Sequence, residues 1–274
     1  MHPSGREATQ HAVPRIVHAL VPRLLTVHRV AELGPAMRRV TLAGPAVGGL
    51  AALAATDHAK VFFPPDPDSP PHMPVVADGH WTNRADPRLI YRDYTVRAVR
   101  AGKEVDLDMV LHPHGPAGRW AAQARPGQQL GLLGPRSSTM RPLDRSWYLL
   151  AADETGLPAT ANWLERLPAS ADVRVVVEVR GPADEIDLPA HDGASVTWVH
   201  RGATPPGAST LLPDAVARTP LGPGPGYVWA GAEASQVRAI RADVRARGIG
   251  ADSSSLTGYW RLGVANFDHK SPEA

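Results

Sequence analysis

The chain has 274 residues, of which 43% are hydrophobic, so it can form one large domain or two ordinary ones, and wholesale disorder is excluded. The absence of cysteine excludes disulfides, thiolate–metal sites and a cysteine nucleophile. The net charge of +2 comes from scattered basic residues, which excludes the basic stripe of a nucleic-acid-binding protein.

The N-terminal half predicts short strands separated by turn residues. Residues 1–13 are polar and irregular, which predicts a loose tail without the pattern of a secretory signal. From Pro14 onward, β-like runs are broken by Gly and Pro, a pattern typical of an antiparallel barrel. Residues 64–88 carry many prolines and charges, which predicts a long surface loop. The predicted strands are Arg15–Val30, Met37–Leu42, His58–Phe63, Ile90–Arg100, Val105–Leu111 and Gln128–Leu133.

The C-terminal half alternates strands and helices, which predicts a mostly parallel sheet with helices on both faces. We therefore predict two domains, a β-barrel at 14–142 and an α/β domain at 143–274. No apolar run is long enough to span a membrane, so we expect a cytoplasmic protein. We also expect a monomer. The predicted elements are strands Trp147–Ala151, Val173–Val179, Val196–His200 and Tyr227–Ala230, and helices Leu157–Arg166, Leu211–Arg218 and Ala234–Arg247.

The strand around Arg92-Asp93-Tyr94-Thr95 carries side chains that suit a flavin. Arg92 and Tyr94 lie two residues apart and share one face, where they would offer a positive charge and an aromatic surface. Thr95 lies on the other face unless the strand bends. An ordinary strand with a solvated arginine explains the same residues, so both interpretations stay open at this point.

The segment from His112 to Trp120 combines a strand end, a Gly/Pro turn and a helix start. The small residues at 115–118 would let the backbone approach a ligand, and the N–H groups of a helix start suit a diphosphate. A plain turn capped by a helix is the alternative. His112 and His114 share a strand face, but no third ligand is nearby, so we expect no metal site.

Polar residues follow two strands of the predicted parallel sheet, where ligands bind in open α/β folds. Asp153, Glu154 and Thr155 are therefore expected to face the crevice between the domains, although Thr155 is alternatively a helix N-cap. Gly231 and Glu233 end a later strand, so a nicotinamide nucleotide could lie across both strand ends; alternatively, the glycine is needed only for packing. The fingerprint G-x-G-x-x-G is missing, which excludes a standard Rossmann domain. The aromatic segment 257–263 would either cover a cofactor or hold the last strand to the core.

Taken in order, these segments resemble the siderophore-interacting protein family, FAD-dependent ferric-siderophore reductases related to ferredoxin–NADP reductases. The resemblance runs from about Val27 to Gly263 and departs from the family pattern at three places. Gly156 stands where alanine is usual, Ser137 replaces a common glycine, and Ala232 lengthens an Ala-Gly-Glu segment. The segments that carry the resemblance are His58–Pro64, Arg92–Arg97, Val110–His112, His114–Ala117, Arg119–Ala121, Gly134–Ser138, Ala152–Thr155, Trp229–Gly231 with Glu233, and Gly258–Gly263.

The resemblance implies a Greek-key barrel that binds FAD and a C-terminal domain that binds NAD(P)H. Electrons from NADPH, NADH or a ferredoxin would pass through FAD to a ferric siderophore, releasing Fe(II). The flavin would carry the chemistry, so neither a catalytic side chain nor a metal ligand is expected. The implied flavin contacts are Arg92, Tyr94, Thr95, Val110, His112, Gly115, Ala117, Thr155 and Trp260. The implied substrate contacts are Lys60, Arg136 and Arg261, and the NAD(P)H contacts are Asp153, Glu154, Gly231 and Glu233.

Two other functions stay open from the residues. The chain could bind a flavin or a ferric siderophore without turnover, as a carrier or regulator. It could also reduce a quinone or a protein instead of a ferric chelate, because the flavin surroundings would look much the same. The choice between NADH and NADPH depends on a phosphate-binding residue, for which Arg180, Arg201 and Arg238 are candidates.

Overall fold

The structure, a computed structural model, describes residues 13–268. An antiparallel sheet is followed by a parallel sheet, as predicted. The predicted loose tail lies, except for Val13, outside the described residues. Within the described part of the chain, no helix is long and apolar enough to cross a membrane.

The N-terminal half forms a barrel-like sheet of seven antiparallel strands. In chain order, the strands of this half, inside and outside that sheet, are β1 (Arg15–Val17), β2 (Pro22–Gly34), β3 (Met37–Ala43), β4 (His58–Phe63), β5 (Val76–Ala77), β6 (His80–Trp81), β7 (Ile90–Thr95), β8 (Ala98–Arg100), β9 (Glu104–Val110), β10 (Gln129–Leu133) and β11 (Ser137–Thr139). Seven of them pair in the order β7–β4–β10–β2–β3–β9–β8. β10 returns to lie between β4 and β2, and the predicted Greek-key barrel is confirmed. Helix α1 (Gly115–Ala122) contacts β3, β4, β7 and β9, and its Trp120 completes the barrel core.

Two predicted strands are each two strands in the structure. The run Arg15–Val30 is broken between β1 and β2, and β1 pairs with β11 instead of joining the barrel sheet. The run Ile90–Arg100 is broken at Val96 and Arg97, whose N–H groups donate to the carbonyls of Asp57 and Asp106. Those long-range hydrogen bonds redirect the chain after Thr95.

The predicted surface loop at 64–88 contains the short hairpin of β5 and β6. The hairpin places Trp81 against Phe62 and Tyr91, with ring centroids 5.6 and 5.2 Å away. Asn83 fixes it, because its side-chain oxygen accepts hydrogen bonds from Val75 N and from the Trp81 indole. The segment therefore covers the outer face of the barrel next to β4 and β7.

The C-terminal half is a five-stranded parallel sheet in the order β14–β13–β12–β15–β16, with helices on both faces. Its elements are β12 (Trp147–Ala152), α2 (Leu157–Arg166), β13 (Asp172–Val179), β14 (Ala194–His200), α3 (Leu211–Arg218), β15 (Gly226–Glu233), α4 (Ala234–Ala246) and β16 (Ser254–Trp260). Helix α2 covers one face, and α3 and α4 cover the other, so β12 and β15 are buried along their whole length. All five carboxyl ends meet at one edge of this sheet.

Helix α2 fixes the α/β domain against the barrel. The Asn162 amide nitrogen donates to the carbonyls of Ala55 and Val96 at 3.1 and 3.0 Å. Its oxygen accepts from Arg97, which also forms an ion pair with Glu165 at 2.6 Å. The interface thus holds the segment that follows β7 against the α/β domain.

Candidate functional site

Arg92 and Tyr94 share one face of β7, opposite Val61 and Ala59 of the neighbouring strand. The Tyr94 ring packs against Phe63 with the centroids 6.1 Å apart. Burial raises the pKa of the Tyr94 hydroxyl, and the charge of Arg92 nearby acts in the opposite direction. The pair therefore combines a neutral phenol with a cation on one surface.

The segment at 112–118 lies beside this pair. Gly118 brings α1 close to His112, because a Cβ atom on Gly118 would lie 2.4 Å from the His112 backbone oxygen and 2.7 Å from Nδ1. Partial burial of the imidazole lowers the pKa of His112, and the charge of nearby Arg92 also lowers it. Helix α1 begins at Gly115, which has a φ of +73°, and His114 provides no side-chain cap. The first N–H groups of α1 therefore have no side-chain cap, a donor set that suits a phosphate.

The other predicted flavin contacts differ in exposure. Ala117 is 4% exposed and belongs to the barrel core. Val110 ends β9 and packs against the core of the α/β domain. The short turn Glu154–Gly156 lies against β9, which brings Thr155 to the domain boundary.

Thr155 does not cap helix α2, so that alternative is wrong. Helix α2 begins at Leu157, and the residue before it, Gly156, provides no side-chain cap. Asp153 instead caps the preceding turn, with its Oδ1 accepting from the Thr155 N–H at 2.8 Å and from the Thr155 hydroxyl at 2.5 Å.

Asp153 also joins the ends of three strands. It follows β12, and its Oδ2 accepts from Glu233 N at 3.0 Å and from the Trp260 indole nitrogen at 2.7 Å. The side chain is almost fully buried. Burial raises the pKa of Asp153, and the hydrogen bonds from Thr155, Trp260 and Glu233 oppose that effect.

Glu233 caps helix α4 from the end of β15. Its Oε2 accepts from Ser235 N at 2.5 Å and from Gln236 N at 3.2 Å, and it also accepts from the Ser235 hydroxyl. Its Oε1 accepts from the Leu262 N–H at 3.1 Å. Gly231, two residues earlier, has a packing requirement of its own, because a Cβ atom there would lie 2.7 Å from the Trp229 ring.

Glu154 forms an ion pair with Arg201, which follows β14. The Arg201 Nη1 lies 2.7 Å from the Glu154 Oε1, and each side chain is 7% exposed. Burial raises the pKa of Glu154 to about 7, the neighbouring Asp153 adds to the rise, and Arg201 opposes it. Of the candidate phosphate contacts, Arg201 is thus held in a buried pair, whereas Arg180 is exposed after β13.

The last strand, β16, pairs with β15 and packs on the core of the α/β domain through Tyr259. Burial raises the pKa of the Tyr259 hydroxyl, and a hydrogen-bonding contact with the Thr95 side chain opposes the rise. The Tyr259 ring stands edge-on to Trp229 at 6.3 Å. The aromatic segment therefore packs the last strand against the core of the α/β domain.

The three predicted substrate contacts lie on two parts of the molecule. Lys60 belongs to β4 and pairs with Leu133 of β10, a strand that Arg136 follows closely; Arg136 is exposed. The Lys60 Nζ lies 2.9 Å from the Asp93 Oδ2. Arg261 directly follows Trp260 in the α/β domain and is half-buried.

Sequence reasoning missed the residues that set the distance between the two halves of this site. Asn162 and Glu165 lie three residues apart on α2 and both contact Arg97. Their i, i+3 spacing on one helix face was the available signal. Within 13–268, no three His, Asp or Glu side chains are grouped to hold a metal ion.

An antiparallel barrel followed by a five-stranded parallel sheet is the two-domain architecture of a reductase. Residues 26–139 match the family model of the siderophore-interacting FAD-binding domain, and residues 145–263 match that of the siderophore-interacting protein. The chain belongs to the siderophore-interacting protein family.

Individual relatives agree with this membership. The crystal structure of a siderophore utilization protein from T. fusca is 41% identical, with a TM-score of 0.89, and the match covers 94% of this chain and 100% of that one. The NADPH-dependent ferric-chelate reductase of Escherichia coli is 35% identical over 68% of this chain and 74% of its own length. The ferric vibriobactin reductase of Vibrio cholerae is 32% identical over 75% of each chain.

Proposed function

We propose that this protein is an FAD-dependent reductase that passes electrons from NAD(P)H to a ferric siderophore. The observation that carries the proposal is that the Arg92–Tyr94 surface lies on β7, whose following residue, Val96, is held against the α/β domain by the Asn162 amide. A bound flavin would convert a two-electron donor into one-electron steps, which suits the reduction of Fe(III) to Fe(II). The protein then needs only to seat the donor and the chelate at the flavin.

The described residues fit FAD. Arg92 and the first N–H groups of α1 would hold the diphosphate, since both offer positive charge and hydrogen-bond donors. Gly118 keeps α1 against His112 and leaves no room for a side chain there. Tyr94 would lie against the flavin ring, and Thr95 would donate a hydrogen bond to its polar edge. The Thr155 hydroxyl donates its proton to Asp153, so it would accept a hydrogen bond from that edge. Trp260 would cover the same edge from the α/β domain.

The nicotinamide nucleotide would lie across the carboxyl ends of β12 and β15. We assign Arg180, exposed at the carboxyl end of β13, to the ribose phosphate of NADPH. Arg201 is not assigned to that phosphate because Glu154 holds it in a buried pair. The Escherichia coli relative is named for NADPH, which supports the same donor here.

The chelate would lie at a cationic rim formed by Lys60, Arg136 and Arg261. Hard oxygen donors bind Fe(III) strongly, and many such chelates are anionic, so positive charge at the rim would attract them. The attraction would weaken as salt rises. A cytoplasmic site of iron release stays the prediction made from the sequence.

Absorbance spectra of the purified protein test the proposal. We expect a flavin spectrum that bleaches on anaerobic addition of NADPH and recovers when a ferric catecholate is added, with Fe(II) captured by a ferrous-specific chelator. If the purified protein binds no FAD even when FAD is supplied in excess, the proposed function is wrong. Recovery with a quinone and not with any ferric chelate would favour a reductase of another acceptor. If NADPH does not bleach the bound flavin, a binding protein without turnover is favoured. If a reduced ferredoxin bleaches the flavin where NADPH does not, ferredoxin is the electron donor.

Charge reversal at the rim tests the substrate contacts. The variants Arg136→Glu and Lys60→Glu are expected to raise the KM for an anionic ferric chelate and leave the flavin content unchanged. Arg218→Glu is a matched control, since it makes the same charge change on exposed α3, away from the carboxyl edge of the sheet. Equal chelate kinetics in all three variants would remove the rim from the proposal.

A further inference from the structure

Two buried carboxylates at the carboxyl edge of the sheet have no hydrogen-bonding capacity left for a ligand. An ionised carboxylate accepts about four hydrogen bonds. Asp153 accepts four, two from Thr155 and one each from Glu233 and Trp260. The expectation that Asp153 contacts NAD(P)H therefore conflicts with the saturation of its oxygens.

Glu233 also accepts four hydrogen bonds, three on one oxygen and one on the other. Its Oε2 accepts three hydrogen bonds from Ser235 and Gln236, and its Oε1 accepts the fourth from Leu262 N. Only 2% of the residue is exposed. A ribose or amide group could bind either carboxylate only by displacing a donor of this chain, which would leave that donor unsatisfied.

The donors that these carboxylates hold lie on either side of Arg261. Asp153 binds the indole N–H of Trp260, and Glu233 binds the backbone N–H of Leu262. The turn then closes on itself, because the Val264 N–H donates to the Arg261 carbonyl at 3.0 Å. Arg261 is the residue between two tethered neighbours.

A third contact clamps the same turn. Gly207 lies against Glu233 and Trp260 so closely that a Cβ atom there would come within 2.7 Å of the Glu233 Cγ and 2.9 Å of the Trp260 ring. The loop after β14 therefore covers the tether from outside. A guanidinium on a fixed turn binds an anion at less entropic cost than one on a free loop.

We propose that Asp153 and Glu233 are positioning residues that fix the turn carrying Arg261 so that its side chain meets the ferric chelate, and that they do not bind the nicotinamide nucleotide. The inference rests on the proposed function, since it deepens the assignment of Arg261 to the substrate. Asp153 has a second effect, because its Oδ1 orients Thr155 while its Oδ2 holds Trp260. The Asp153 carboxylate thus positions both Thr155, which is assigned to the flavin, and the turn that carries Arg261, which is assigned to the chelate.

The variants Trp260→Phe and Asp153→Asn test the tether in the FAD-loaded protein. Trp260→Phe removes the indole donor together with the part of the ring that lies against Gly207, and Asp153→Asn replaces one acceptor oxygen with a donor that faces other donors. We expect each to raise the KM and the dissociation constant for an anionic ferric catecholate about three- to tenfold, the effect of one lost hydrogen bond. The dissociation constant for NADPH is expected to change less than that for the chelate, because in this proposal neither carboxylate contacts the nucleotide.

Hydrogen exchange at the Leu262 amide supplies a readout that does not depend on turnover. We expect this amide to exchange faster in both variants, because the turn loses one of its two tethers. Trp147→Phe is the matched control: its indole donates to the Gly224 carbonyl at the opposite edge of the same sheet. The control is expected to change neither chelate affinity nor exchange at Leu262.

Two results would overturn the inference: a raised KM for NADPH with an unchanged chelate KM, or variants whose chelate affinity and Leu262 exchange match those of the wild type. Wild-type protein is assayed first with the same catecholate. If wild-type protein reduces no ferric chelate, the proposed function fails and this inference fails with it. If wild-type protein is active and the variants behave as the control does, only the inference fails.

Discussion

Lys60 and Asp93 face each other across β4 and β7, and the Lys60 Nζ lies 3.0 and 2.9 Å from the two Asp93 carboxylate oxygens. Lys60 also lies 5.1 Å from the centre of the Tyr91 ring. The cation assigned to the chelate therefore already has an anionic partner within the sequence Arg92-Asp93-Tyr94-Thr95. An incoming anion must compete with Asp93 for Lys60.

Asp93→Asn is expected to lower the KM for an anionic ferric chelate. Removing the carboxylate charge frees Lys60, and because the pair is partly exposed, we expect a gain of only about two- to fivefold. Steady-state kinetics with anionic and cationic ferric chelates at low salt would measure it. The gain should be absent for the cationic chelate and should shrink at high salt.

Asp172→Asn provides the control for this charge change. It removes an ion-paired aspartate beside Arg174 at the start of β13, away from the carboxyl edge of the sheet. The control should leave the KM for both chelates unchanged. If Asp93→Asn also leaves the anionic chelate's KM unchanged, Lys60 has no part in substrate binding.

The sequence predicted those elements whose patterns are local. The limits of β4, α2 and α3 agree with prediction, because apolar spacing and turn residues define them within a few positions. The break at Val96 was missed because its hydrogen-bond partner, Asp57, lies 39 positions earlier in the chain (96 − 57). The side-chain periodicity within a strand does not indicate a hydrogen-bond partner so distant in the sequence.

In the candidate site too, the sequence predicted local features and missed contacts between distant residues. The pairing of Arg92 with Tyr94 on one face follows from the two-residue period of a strand, and the structure has it. The four donors on Asp153 come from residues up to 107 positions away, so the sequence indicated a ligand contact where the structure has a saturated carboxylate. Gly156 is a further case, because a Cβ atom there would lie 2.2 Å from the oxygen of Gly231, a residue 75 positions away (231 − 156) that local sequence does not indicate.

The pKa of Glu154 predicts a pH dependence of stability. Burial raises it from 4.5 to about 7, so between these pH values the folded state keeps a proton that the unfolded chain has lost. The free energy of unfolding should therefore fall as pH rises through this window, by up to about 1.4 kcal/mol per pH unit. The raised pKa of Asp153 acts in the same direction and is coupled to that of Glu154.

Glu154→Gln should flatten this dependence. Urea unfolding at pH 5, 6, 7 and 8 would give the free energy of unfolding of the variant and of the wild type. The difference between the two at each pH cancels the contributions of all other titrating groups. Glu165→Gln, which alters a more exposed ion pair, should leave the slope as in the wild type. Parallel curves for Glu154→Gln and wild type would contradict the raised pKa.

Asn162→Ala is expected to weaken the contact between the domains. The substitution leaves the carbonyls of Ala55 and Val96 without their donor in a buried interface, at a cost of about 2–4 kcal/mol in the free energy of unfolding. Glu165→Gln touches the same contact but breaks only a partly exposed ion pair, which should cost less than about 1 kcal/mol. Chemical denaturation with and without FAD would compare them, and equal losses in the two variants would show that the Asn162 amide does not hold the interface.

Gly118→Ala is expected to weaken the free energy of FAD binding more than it lowers the free energy of unfolding. The added Cβ atom would lie 2.4 Å from the His112 backbone oxygen, so α1 must move away from His112, and the N–H groups that would hold the diphosphate move with it. A displaced helix start should raise the dissociation constant at least about tenfold, measured by quenching of flavin fluorescence during titration of the apoprotein. Gly181→Ala is the matched control, because a Cβ atom there meets nothing within 4 Å and the backbone is extended. Equal FAD affinity in Gly118→Ala and Gly181→Ala would mean that the start of α1 does not carry the phosphates, and the diphosphate would then have to be held by Arg92 alone.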